Sequence, residues 1–150
     1  ACSTCHHPSF GTSDGMSLSI GEGGVGLGPD RRLGQGEHVY ARIPRNAPAL
    51  WNRGSKEFHT MFHDGRLQVD ADRPHGILMP AARDLERPVL NPLAAQALLP
   101  ITSPDEMAGQ HDENATSALV EKMAFMGEAS AWATIAAKVE AVPDYRAAAP

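Results

Sequence analysis

Cys2-Ser3-Thr4-Cys5-His6 packs two thiols and an imidazole into five residues, and these two cysteines are the only ones in the chain. The spacing C-x-x-C-H is that of c-type haem attachment. Two thioether bonds fix the porphyrin, and the adjacent imidazole becomes the proximal iron ligand, because both sulfurs and the ring reach one edge of the macrocycle. A thioredoxin-like dithiol would want a preceding strand and a βαβ pattern, and a zinc half-site would want two further Cys or His ligands at regular spacing. Neither context is present. The reading is therefore one covalent haem c held by Cys2, Cys5 and His6. A stapled cofactor also answers a question of composition. The chain is 42% hydrophobic but only 5% aromatic, and 13 of its 23 alanines follow position 100, so its apolar side chains offer little area to bury. The haem would fill the middle.

At 150 residues the chain has the size of one domain, taken here as residues 1–150. No apolar run approaches the ~20 residues a spanning helix requires, and no secretory h-region opens the chain. A net charge of −5 without a Lys/Arg cluster argues against nucleic acid as a partner. Most of the 12 Pro and 14 Gly precede position 105, which predicts a loop-rich first part and a helical last third. The run Gly21-Glu22-Gly23-Gly24-Val25-Gly26-Leu27-Gly28 contains a formal G-x-G-G-x-G. Its flanks supply neither the strand nor the helix of a dinucleotide site, so it reads as a flexible loop. Alternation predicts short strands over 38–43 and 66–70. Residues 71–92 read as an irregular connection, and a short helix follows from Pro92 through Leu99. Thr116 or Asn114 caps a helix over 117–126, with Leu119, Val120, Met123 and Met126 on one face and Gly127 ending it. A second helix over 129–141 carries Trp132, Ile135, Ala136 and Val139 as a stripe and is stopped by Pro143. The fold class is mostly α: a c-type cytochrome domain with short β segments and long loops around one haem.

What such a haem does depends on the iron's other face, where a second strong ligand makes an electron carrier and an open position beside an acid–base group makes peroxide or oxygen chemistry. His7 follows the ligand and reads as a surface residue. His38, His59, His63, His75 and His111 are all far enough along the chain to fold back over the haem, and Met107 is a candidate axial sulfur.

A longer series of residues narrows the choice. Cys2–His6 is followed by Asp14-Gly15, Ser19-Ile20-Gly21, Arg45-Asn46-Ala47-Pro48-Ala49-Leu50-Trp51-Asn52, Phe62-His63-Asp64-Gly65-Arg66, Leu93-Ala94-Ala95-Gln96-Ala97, Pro100, Glu106-Met107 and Val142-Pro143-Asp144-Tyr145-Arg146. In this order they resemble the first, N-terminal haem domain of bacterial di-haem cytochrome c peroxidases and MauG-like enzymes, over nearly the whole chain. The resemblance implies a peroxidatic haem whose distal pocket holds Gln96, Pro100 and Glu106. A carboxylate beside an open iron can move a proton from one peroxide oxygen to the other, which makes Glu106 the candidate acid–base group and Gln96 the residue that orients water or peroxide. It further implies a second haem domain outside this chain, hydrogen peroxide as substrate, a small donor such as a cytochrome c or cupredoxin, and a periplasmic address. On this view the chain is a piece of a longer protein.

The departures from the family pattern also matter. A His follows Ser-Ile-Gly in many members and ligates the resting haem. Here that position is Glu22, and an extra run, Gly23 to Glu37, follows; counting back from Asn46 instead reaches His38, so two placements of the switch ligand stay open. His63 stands where the family often has a Trp between the haems, with Trp51 nearby in sequence. Asn46 matches a residue that helps hold an interdomain calcium. A MauG-like oxidase acting on a partner protein and a plain electron-transfer cytochrome, with His38 or Met107 permanently bound, are the alternatives to a peroxidase. The motif itself yields the first test: intact mass should exceed the polypeptide by one haem after denaturation, and a bare-chain mass would remove the basis of the reading.

Overall fold

The computed structural model describes residues 2–35, 42–80, 85, 88–89, 91–110 and 113–148. The haem motif forms a single helical turn, α1 (Cys2–Cys5), which the His6 amide extends by donating to the Cys2 carbonyl at 2.9 Å. A 3₁₀ turn at Pro8–Phe10 follows, capped by His7, whose Nδ1 accepts from the Ser9 amide at 3.2 Å. His7 is thus half-buried and structural rather than simply a surface residue.

The glycine-rich run is not the flexible loop its composition suggested. Gly24–Val25 (β1) pairs antiparallel with Arg32–Leu33 (β2), and a 3₁₀ turn at Gly28–Asp30 connects them. The physical reason is Arg31, whose guanidinium collects the carbonyls of Gly21 and Gly26 in the run and of Ile20 just before it, as described below. Of the strand expected over 38–43, residues 38–41 lie outside the described residues. Arg42 and Ile43 do not form a strand, although the Ile43 amide donates to Ser19 O at 3.0 Å.

Thr60–Met61 (β3), Leu67–Val69 (β4) and Ile77–Leu78 (β5) form an antiparallel meander, with Met61 opposite Leu67 and Val69 opposite Ile77. β4 is the strand expected at 66–70. β5 falls inside the stretch expected to be irregular, where burial of Ile77 and Met79 beside Met61 and Leu67 outweighs the surrounding prolines. Helix α2 (Pro92–Leu98) closes this face with Ala95 and starts as expected, with Pro92 in its first turn and Asn91 Oδ1 accepting from the Ala94 amide at 2.9 Å. The larger of the two apolar clusters among the described residues therefore sits on a small sheet, and the described helices are all short.

Helix α3 (Ala115–Glu121) is capped by Asn114 in a reciprocal box with Ser117. It stops well short of 126. Met123 adopts φ 55°, and the Ala124 amide turns back to Leu119 O at 2.9 Å, so Phe125 packs on Val120 and Ala131. Met123 and Met126, expected on the packed face, are exposed. Helix α4 (Ala131–Glu140) starts at its Ser130 cap, and Trp132 Nε1 donates to Leu98 O at 3.0 Å, tying α4 to the end of α2. The expected stripe frays at its end, where Val139 is exposed. Pro143 does more than stop a helix: it opens α5 (Pro143–Ala148).

Leu67 is fully buried at the centre of the meander, whereas Val69 on the same strand is 44% exposed. Leu67→Ala should lower unfolding free energy by about 2–5 kcal/mol, and Val69→Ala by less than about 1 kcal/mol. Chemical denaturation of the two variants checks the difference.

Candidate functional site

Within the site, His6 is the residue whose chemistry is most tightly constrained. Its Nδ1 lies 3.1 Å from the Thr12 carbonyl oxygen. A carbonyl can only accept, so Nδ1 carries the proton, which in the neutral ring leaves Nε2 its lone pair, the tautomer a metal-bound imidazole needs. Thr12 is held for this purpose in the left-handed region, φ 62°, which a β-branched residue adopts only when its surroundings enforce it. They do so here. Thr12 Oγ1 donates to Gly11 O at 2.6 Å and accepts from the Leu50 amide at 2.8 Å. Next to it Ser13 Oγ donates to Ala47 O at 2.6 Å and accepts from Asn46 Nδ2 at 3.1 Å. The segment around Arg45–Leu50 thus braces the loop that aims His6.

Behind the cysteines lies a wall of backbone. Cys5 Sγ contacts Ile20 O at 3.9 Å, and burial pushes the thiol above its ordinary range; Arg31 opposes that rise, while Asp14 and Glu106 add to it. Near this wall in the chain, Asp14 Oδ2 and Ser19 Oγ are buried without a hydrogen bond among the described residues. Two free thiols on one helical turn, an imidazole of defined tautomer and unspent polar atoms fit a thioether-bound haem.

The acidic side of the site is a π-helical turn, Pro104–Ala108. One oxygen organises it: Ser103 O accepts from the amides of Glu106, Met107 and Ala108 at 3.1, 3.2 and 3.0 Å. The turn is pressed against Gly21. A Cβ there would fall on the Asp105 carbonyl oxygen and lie 2.7 Å from Glu106 O, so only glycine allows the approach. The Glu22 amide then donates to Glu106 O at 2.9 Å. Glu106 is half-buried, and burial pushes its carboxyl above the usual range, with Asp105 adding to the rise and the Arg66 guanidinium opposing it. Arg66 is itself stacked 4.3 Å over the Phe62 ring and lies 3.5 Å from Asp64.

Other residues singled out from sequence are placed as follows. Gln96 is half-buried on α2, and Pro100 opens a 3₁₀ turn, Pro100–Thr102, packed between α2 and the Glu106 turn. No hydrogen bond among the described residues joins Gln96 to Glu106. Met107 is half-buried beside Glu106. His59, His63 and Trp51 are exposed, and His75 is half-buried at φ 63°. His38 and His111 lie outside the described residues. Glu22 meets the Glu106 turn through its backbone, while its side chain is exposed. Asn46 is exposed and bonded to Ser13, and among the described residues no group of three or more His, Cys, Asp or Glu is placed to hold a metal ion. Sequence reasoning missed Thr12 and Arg31. Thr12 acts through its main-chain carbonyl, so its residue type carries no signal of the role.

A family model described as di-haem cytochrome c peroxidase matches residues 1–149. No curated protein and no solved structure matches the chain.

The raised Glu106 carboxyl has a consequence for stability. The folded state favours the protonated form, so it binds more protons than the unfolded chain, and stability falls as pH rises from the ordinary carboxylate value through the folded one. Glu106→Gln removes that loss. Its melting temperature should equal the parent's at acid pH and exceed it near neutrality, measured by thermal unfolding across that range.

Proposed function

Since the chain belongs to the di-haem cytochrome c peroxidase family, we propose that it is the domain at which hydrogen peroxide is reduced to two waters, consuming two protons and two electrons, the electrons relayed from a second c-type haem. Haem, when bound, supplies the iron at which the O–O bond breaks. Everything else is asked of the chain's own groups. Cys2 and Cys5 hold the porphyrin, and His6 offers Nε2 to the iron while Thr12 keeps the ring in register. Glu106 takes the proton from one peroxide oxygen and returns it to the other, and Gln96 orients the substrate. Pro100 shapes the turn between them.

The observation that carries this reading is the seating of Glu106: a half-buried carboxyl, raised by burial, on a turn fastened by its backbone to the wall that also faces Cys5. A surface carboxylate would have no cause to be held there, and a base whose affinity for protons is raised toward working pH is better matched to general catalysis. With an exposed carboxylate at Glu22, that position offers the iron no imidazole. The donor is a small cytochrome c or cupredoxin, and the setting is periplasmic, where haem is attached covalently. Asn46 keeps its amide oxygen for an interdomain calcium.

In protein carrying both haems, Glu106→Gln should lower peroxide turnover about 10²–10⁴-fold with haem content and spectrum retained. Unchanged turnover would falsify the assignment. Met107→Ala is the control: loss of a low-spin spectrum in that variant would make the turn a source of an axial sulfur and the domain an electron carrier.

A further inference from the structure

Arg31 has chemistry that the function above does not use. It is 8% exposed, yet no carboxylate pairs with it among the described residues. Its charge is met instead by three carbonyl oxygens: Nε donates to Ile20 at 2.8 Å, Nη2 to Gly21 at 2.6 Å and Nη1 to Gly26 at 2.9 Å. A buried cation without an anion is costly to hold, so its acceptors are informative. Ile20 O is also the oxygen that Cys5 Sγ touches, and Gly21 is the residue on which the Asp105–Glu106 backbone rests. The glycine run has been cleared for this arrangement from both sides. A Cβ at Gly24 would lie 2.6 Å from Arg31 Nη2, 2.7 Å from its Cζ and 2.6 Å from Ile20 Cγ2, just as one at Gly21 would collide with the Glu106 turn.

We propose that Arg31 is a positioning residue: its guanidinium fork clamps the Ile20–Glu22 backbone against the Pro104–Ala108 turn and so holds Glu106 where it acts. The kinetic half of this inference rests on Glu106 as the acid–base group; the structural half does not. The fork, and not the charge alone, is what the geometry uses. A lysine ammonium in the same place keeps the charge but is a single nitrogen and cannot span carbonyls that a planar guanidinium reaches with three.

The test uses the haem-loaded, full-length protein with Arg31→Lys, Arg31→Met and Gly24→Ala, the last of which crowds both the guanidinium and the Ile20 side chain while leaving Arg31 in the chain. Two readouts are taken: hydrogen exchange at the Glu22 amide, and kcat and KM for hydrogen peroxide. All three variants should exchange the Glu22 amide about tenfold faster or more, the scale of a lost charge-assisted hydrogen bond. They should also lose kcat by up to about 10²-fold with KM little changed, as for a misplaced catalytic group. Wild-type exchange and kcat in Arg31→Lys would overturn the fork, as would unchanged Glu22 exchange in Arg31→Met. Should Arg31→Met not accumulate as folded protein, Arg31→Lys decides by the same exchange measurement. Faster exchange with unchanged kcat, in a protein where Glu106→Gln is slow, would overturn the positioning role. Faster exchange together with a silent Glu106→Gln would leave the clamp standing and remove the acid–base reading instead.

Discussion

The carbonyl oxygens of Ile20 and Gly21 are where the two halves of the site meet. From one side Cys5 Sγ and the Arg31 guanidinium converge on Ile20 O; from the other the Asp105–Glu106 backbone lies on the bare Cα of Gly21 and takes a hydrogen bond from Glu22. Thiols and carboxylate are distant in sequence, and neither segment carries enough apolar area to find the other by burial. Main-chain polar groups, which must be paired whenever they leave water, supply the specificity instead.

The same economy governs the rest of the first half. The described residues bury nine apolar side chains, three of them alanine, and the largest cluster belongs to the β3–β5 meander and α2 rather than to the motif. Around His6 the structure is a lattice of side chain to backbone bonds: Thr12 to Gly11 and Leu50, Ser13 to Ala47, Asn46 to Ser13. Each such bond is worth only about 1 kcal/mol, but together they hold Thr12 at a φ it would not otherwise keep. A network of this kind is rigid while complete and weak when any member is lost.

What the residues alone disclosed divides along the same line. C-x-x-C-H, the start of the helix at Pro92, β4 and the Asn114 cap were all readable, because each depends on a local chemical rule that no distant contact overturns. The end of α3 was not. Periodicity continued to Met126, but the chain turns at Met123 so that Phe125 can reach Ala131 and lie 5.8 Å from the Trp132 ring, a tertiary gain no local pattern encodes. The glycine run misled for a related reason. Glycines read as freedom when nothing is known to approach them, whereas two of these mark where a guanidinium and another backbone come closest. Of the candidate site residues, Cys2, Cys5 and His6 follow from spacing, while Gln96, Pro100 and Glu106 come from the family resemblance. Thr12 and Arg31 act through main-chain oxygens, their own or those they bind, and spacing does not record that.

The Pro104–Ala108 turn is wound about a single acceptor. Because Ser103 O receives amides from the third, fourth and fifth residues after it, the 3₁₀, α and π patterns coexist there, and little energy separates one register from the next. Glu106 and Met107 are consecutive on that turn. A slip of one residue, by a deletion within the turn or by drift of the wall against it, would exchange a carboxylate for a thioether at the same address. A carboxylate and a thioether thus lie one step apart on one short, pliable segment, so that a shift of register there would change the chemistry the turn presents without any change in the larger architecture.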